Sequence, residues 1–221
     1  MSTHDRALTR TVAVQHGIIT TDQAHGLGLS NREIGWRLEQ GILLAVHHGV
    51  YRHAAVSPTP SGRLHSAVLA CGPGAVVSHR SAGQLHRLRE IPGWRTEVTV
   101  TGTRLPVLRG ITVHRTDTMD PVDITSVDRI PVTTIPRTLL DLGAVVPFEV
   151  VELAAQDAII QERISAVDLV CVLERVGKRG RRGTAAGETG SPPIRRTAAG
   201  GLHPTPRMLS ERATGSMPRR G

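Results

Sequence analysis

Between residues 17 and 53 the apolar positions fall into two short helical runs followed by two extended ones. Thr20 and Gln23, then Ser30 and Glu33, stand three apart at the head of each helical run. That is the spacing of a capping box, in which the cap hydroxyl and the third residue's side chain satisfy each other's backbone N–H. Ile19 with Ala24, and Leu29 with Ile34, flank the two caps as hydrophobic staples. Leu27-Gly28-Leu29 makes a tight connection between the helices, and Gly41 suits the left-handed residue that ends the second. Residues 42–46 and 50–53 then read as strands, joined by a His47-His48-Gly49 turn with glycine at the positive-φ position. Two helices, a short turn and a hairpin predict a winged helix-turn-helix over residues 5–56.

Residues 58–176 change to mixed helix and strand. Leu64, Ala67, Val68 and Cys71 recur at i, i+3, i+4 and i+7 and predict a helix ending at Gly72. Ser78 is placed to cap a helix running to Leu88, with Ala82 and Leu85 inward. Residues 97–101, 111–115 and 129–133 read as strands. Thr134 precedes a helix with Pro136 in its first turn, Phe148, Val151, Ala155 and Ile159 line one side of the next, and a last helix from Ser165 offers Leu169, Val172, Leu173 and Val176. After Gly177 periodicity stops: the 45 residues 177–221 hold nine Gly and five Pro among scattered arginines. Such a stretch cannot offset its ordering entropy by burial, so it is expected to be disordered. The expected fold class is α+β: a winged helix, a mixed α/β domain at 58–176 and a disordered C-terminal tail at 177–221.

Charge sharpens the picture. Ten of the 27 basic residues but only two of the 19 acidic ones lie in 177–221, so that stretch holds the whole net charge of +8 and residues 1–176 carry 17 of each sign. The ordered part therefore has no bulk attraction for a polyanion and must rely on local placement. Lys178 is the single lysine, and the aromatics are Trp36, Tyr51, Trp94 and Phe148, too scattered for a base-stacking platform. Cys71 and Cys171 stand 100 residues apart without a CxxC, and no segment approaches 18 consecutive apolar residues. A cytoplasmic protein with no disulfide framework, zinc site or membrane span is expected.

If Ile34 and Leu38 face inward, Arg32, Trp36 and Gln40 turn outward on the second helix. Ser30, Asn31 and Arg32 at its start are then placed to reach base edges of double-stranded DNA, with Arg37 flanking to meet a phosphate. His48 at the hairpin tip is a further DNA-contact candidate, and otherwise a solvated turn residue. Trp36 suits either a DNA face or packing on a neighbouring element or partner. The cluster Ser78-His79-Arg80-Ser81 lacks the strained GxSxG turn of a serine nucleophile, so Ser78 is read as a helix cap, with His79 or Arg80 able to meet an anion there. No carboxylate–lysine nuclease motif and no Gly-rich nucleotide cradle appears, so no enzyme activity, metal or cofactor is expected.

On Gly17-Ile18-Ile19-Thr20, on residues 37–41 leading into Val46-His47-His48-Gly49-Val50-Tyr51, on residues 69–82 and on Pro131-Val132-Thr133 with residues 137–142, the chain resembles actinobacterial members of the AbiEi-type antitoxin family. That resemblance implies a winged helix that binds its own promoter region and represses its own operon, and an α/β domain that opposes a nucleotidyltransferase-like toxin. Similar proteins continue after a Gly-Arg-Arg-Gly like residues 180–183 into a Vsr-like endonuclease fold. This chain departs there, with a tail resembling translation in a shifted frame, which would make it a truncated relative. Two alternatives stay open: a protein-interaction module using the hairpin and Trp36, or a nonfunctional remnant of an endonuclease-fold protein.

Overall fold

The computed structural model describes residues 3–93, 95–102, 105–117 and 119–180. The chain opens on helix α1 (Thr3–Val14), which sequence reasoning did not anticipate and whose Leu8 and Val12, one turn apart, are both buried. Strand β1 (Ile18–Thr20), helix α2 (Thr21–Gly26), helix α3 (Asn31–Glu39) and strands β2 (Leu43–His47) and β3 (Val50–His53) follow. Both capping boxes form: Gln23 N–H donates to Thr20 Oγ1 at 3.1 Å, and Glu33 N–H to Ser30 Oγ at 3.3 Å, while each third residue's side chain accepts the cap's own N–H. The three strands make one antiparallel sheet in the order β1-β3-β2. Leu8, Val12, Ile19, Ala24, Leu29, Ile34 and Leu43 form the core between helices and sheet. Each of the larger ones contributes about 1.5 to 3 kcal/mol by leaving water.

The hairpin differs from its expected form. β2 reaches His47, so only His48 and Gly49 turn the chain, and the extra residue is taken up by an irregularity between Ala45 and His47. Gly49 sits at φ +68, as expected. Gly17, at φ +83, is also required on space, because a Cβ there would come within 2.7 Å of Val56.

Helix α4 (Pro60–Cys71) ends at Gly72 and lies against all three strands of the first sheet. Strand β4 (Val76–Val77), helix α5 (His79–Leu85), strands β5 (Thr96–Thr101) and β6 (Ile111–Thr116), a 3-10 turn at Pro121–Asp123, and strands β7 (Ile124–Val127) and β8 (Ile130–Thr133) build the second unit. Helices α6 (Ile135–Leu142), α7 (Phe148–Ile160) and α8 (Ala166–Gly180) complete it. Its sheet runs β6-β5-β4-β8-β7, with β5/β6 and β4/β8 parallel and the other pairs antiparallel. The described chain is thus mixed α+β with eight α-helices and two sheets, and no described helix is long and apolar enough to cross a membrane.

Three expectations shift. α7 buries Ala154 and Ala158, while Phe148 is 72% exposed, because the small residues make the close approach to α6 and the large stripe borders an open groove. On α8 Val172 is buried and Leu173 is exposed. The helix also runs to Gly180, past the expected boundary at 176, since no proline or cap stops it. The rest of the expected disordered tail lies outside the described residues.

Candidate nucleic-acid interface

Helix α3 is positioned by its cap and by Ile34, which is buried against the first sheet. Ser30 is exposed, but its hydroxyl is committed to Glu33, accepting from the Glu33 N–H and donating to Glu33 Oε2 at 2.8 Å. The Ser30 backbone and hydroxyl bonds hold the Glu33 carboxyl below its usual range. Asn31 is exposed, and its Oδ1 pairs with His25 Nε2 at 2.9 Å, leaving the amide NH2 pointing away from that bond. Arg32, in the first turn, is exposed with no ion-pair partner among the described residues. Trp36, one turn on, is 51% exposed. Arg32, Trp36 and Gln40 therefore form the outward face that the Ile34 and Leu38 register implies.

Arg37, expected to flank that face and meet a phosphate, is placed inward. It is buried, its Nη2 donates to Asp5 Oδ1 of α1 at 2.7 Å and its Nη1 to the Glu33 carbonyl at 3.0 Å. Its guanidinium also lies 5.8 Å from the Trp36 ring centre. Two of its five N–H groups are thus committed to Glu33 and Asp5, and the guanidinium, in a residue only 7% exposed, is held against α1 instead of being presented to a phosphate. Arg37→Ala is expected to lower stability by about 1 to 3 kcal/mol, the cost of removing a charged hydrogen-bond partner, read by urea denaturation. A variant as stable as the wild type but weaker on DNA would restore the phosphate role.

His48 is exposed at the hairpin tip and borders a cavity lined also by Thr20, Thr21 and Asp22, by Leu69 and Ala70 of α4 and by Gly72, Pro73 and Gly74 after it. No residue of α3 lines that cavity.

In the second unit, the Ser78 cluster is a buried network. Ser78 stands at the N-cap of α5 but makes no cap bond: Thr99 Oγ1 donates to its Oγ at 2.7 Å, and His79 Nδ1 lies 2.9 Å away. Expected as a cap, its hydroxyl is instead captured across the sheet by β5. Fully buried, it has no route to a substrate. The anion at this helix start is the protein's own: Glu97 Oε2 accepts from Arg80 N–H at 2.7 Å and Oε1 from Arg80 Nη1 at 2.8 Å. Burial pushes the Glu97 carboxyl up, but His114 and Arg80 outweigh it and hold it below its usual value. His79 stacks on His114 with ring centres 3.6 Å apart. Among the described residues no group of three His, Cys, Asp or Glu side chains could hold a metal ion.

Comparison with known proteins adds to this geometry. Among curated proteins none matches the chain. The RV2827C protein from Mycobacterium tuberculosis, a solved crystal structure, superposes with a TM-score of 0.51 at 15% identity, over 77% of this chain and 70% of that one, a likeness of fold. The family described as "Transcriptional regulator, AbiEi antitoxin" matches residues 6–53, a stretch that runs from α1 to the last residue of β3 and so takes in the winged helix.

Proposed function

We propose that the chain is a DNA-binding transcriptional regulator of antitoxin type that represses its own operon, with no catalytic role. The observation that carries this is the first turn of α3: a doubly capped helix start that leaves Arg32 exposed and without an ion-pair partner among the described residues, within the segment matching a transcriptional-regulator family. Asn31 and Arg32 reach base edges in the major groove, Ser30 orients the helix through its cap, and Trp36 flanks the contact. His48 at the hairpin tip meets the backbone. The partners are double-stranded DNA of the promoter region and, as the family implies, a nucleotidyltransferase-like toxin; the site of action is the cytoplasm.

Arg32→Ala is expected to weaken binding to the specific duplex by about 1 to 3 kcal/mol and to relax preference at one base position, with stability within about half a kcal/mol. Exposed Arg89, on the α/β unit beside Glu90, is the matched control. Equal small losses from Arg32→Ala and Arg89→Ala on a confirmed operator would remove the recognition-helix assignment. A second reading, a protein-interaction module, draws on β2, an edge strand with Leu44 and Val46 exposed, and on the exposed Trp36 of α3. It predicts that Trp36→Ala abolishes partner capture while DNA affinity is absent in the wild type.

A further inference from the structure

Two open cavities adjoin at Arg63 on α4, the first of about 280 Å³ and the second of about 540 Å³. The first is lined by His47 of β2, Arg52 of β3, Arg63 and Arg109, with no carboxylate; the second by Arg63, Arg87 and Arg95, with Asp128 the one acidic residue. Arg63, Arg87 and Arg109 are exposed, and no hydrogen bond or ion pair ties their guanidinium groups to any described residue. Other arginines of the α/β unit are engaged: Arg80 with Glu97, Arg115 with Asp117, and Arg137 and Arg175 with Asp123. Residues 1–176 carry equal numbers of basic and acidic residues, so this grouping is a local excess and not the spill-over of a basic protein.

We infer that these two cavities form a second phosphate-binding surface, on the α/β unit, that takes the backbone of the same DNA duplex the winged helix binds. The inference rests on the DNA-binding reading above. Two observations favour a polyanion chain over a small free anion. The cavities are open and share Arg63 and Thr96 as a common wall, and their arginines are spread over β3, α4, the turn after α5 and the loops beside β5 and β6, a track and not a focus. The track also reaches the hairpin, where Arg52 and His47 line the first cavity, Arg52 with its Nη1 donating to the Val56 carbonyl and His47 pushed by burial toward its neutral form. The exposed guanidinium groups of Arg63, Arg87 and Arg109 along such a track displace condensed counterions from successive phosphates and carry no base information. The α/β unit is then part of the DNA-binding surface, supplying the local charge that the balanced composition of residues 1–176 lacks.

The test uses the full chain, its upstream duplex and a scrambled duplex of the same length, with binding constants measured across a salt series. The double variant Arg63→Gln/Arg109→Gln is expected to bind both duplexes roughly ten- to thirtyfold more weakly near physiological salt, with the slope of log K against log salt shallower by about two. The ratio between the duplexes should be unchanged, whereas Arg32→Ala should change that ratio. A melting temperature within a few degrees of wild type confirms that the double variant is folded. The single variants Arg87→Gln and Arg109→Gln, each lowering the slope by about one, repeat the test should the pair perturb the fold. Wild-type binding with an unchanged slope and affinity in all three variants would overturn this inference and leave the regulator reading intact. Failure of the wild type to bind either duplex would overturn both.

Discussion

Asp123→Ala is expected to lower the unfolding free energy by about 3 to 5 kcal/mol, the cost typical of stripping one partner from a buried ion network. Asp123 is 1% exposed at the end of the 3-10 turn before β7. Its Oδ2 accepts from Arg137 Nη1 of α6 at 3.2 Å, and its Oδ1 accepts from Arg175 of α8. Arg137 in turn donates from Nε to Asp141 Oδ1 at 2.9 Å, one helical turn away. A single carboxylate thus joins the sheet to two helices, and removing it strips Arg175 of its ion pair and leaves Arg137, 4% exposed, with Asp141 alone. Burial pushes the Asp141 carboxyl up, although Arg137 opposes this, so Asp141 is a weak substitute. Urea denaturation should show a lower midpoint at an unchanged slope. A loss below about 1 kcal/mol would mean that the network is hydrated and structurally neutral. Arg175, remote from α3 in sequence, is for the same reason unsuitable as a silent control in DNA-binding work.

Acid should destabilise the fold well before its carboxylates titrate. Burial, then the neighbouring His114, push His79 from the ordinary 6.5 down to about 4. Burial likewise lowers His65 and His86, the latter despite its bond to the Thr133 carbonyl. A histidine held neutral in the native state binds its proton more weakly there than in the unfolded chain. Its contribution is therefore complete above about 6.5 and is lost as pH falls toward 4, where the unfolded chain alone takes up the proton. For His79 alone this amounts to about 3 kcal/mol. Glu33 and Glu97, both held low, act in a separate window: their stabilisation is present above the ordinary carboxylate value of 4.5 and is lost below it. Unfolding free energies should be near their plateau at pH 7 and fall from about 6.5 to 4, and His79→Asn should flatten the fall. Asparagine tolerates the positive backbone angle found there, φ +51. A wild-type stability that stays level down to pH 4.5 would contradict the burial of neutral histidines.

What was legible in the sequence is what local chemistry dictates. The pairs Thr20/Gln23 and Ser30/Glu33 need only neighbours three residues away, and both boxes form. Gly72 ends α4 because a left-handed residue is needed at that spot whatever the tertiary context, and its φ is +94. The elements that stayed hidden depend on distant partners. β1 and β4 span three and two residues and exist through pairing with β3, β5 and β8. α1 is joined to α3 by Arg37 and Asp5, 32 residues apart, and nothing near either residue signals the pair. At the candidate interface the register of α3 was readable from Ile34 and Leu38, whereas the capture of Arg37 was not. Ser78 was misjudged for a similar reason: the cap rule is local, but Thr99 reaches it from 21 residues away. On α7 the apolar residues lie on more than one side, so periodicity alone could not tell the alanine face that packs from the larger face left at the groove.

The most direct test is a binding titration of the full chain against a duplex from its own upstream region and a scrambled duplex of equal length, at physiological salt with competitor DNA. A sequence-reading winged helix should favour the upstream duplex by a factor on the order of a thousand. Arg32→Ala should erode that factor and Arg89→Ala should not. Equal affinity for the two duplexes, or none for either, would contradict a regulator that reads its own promoter.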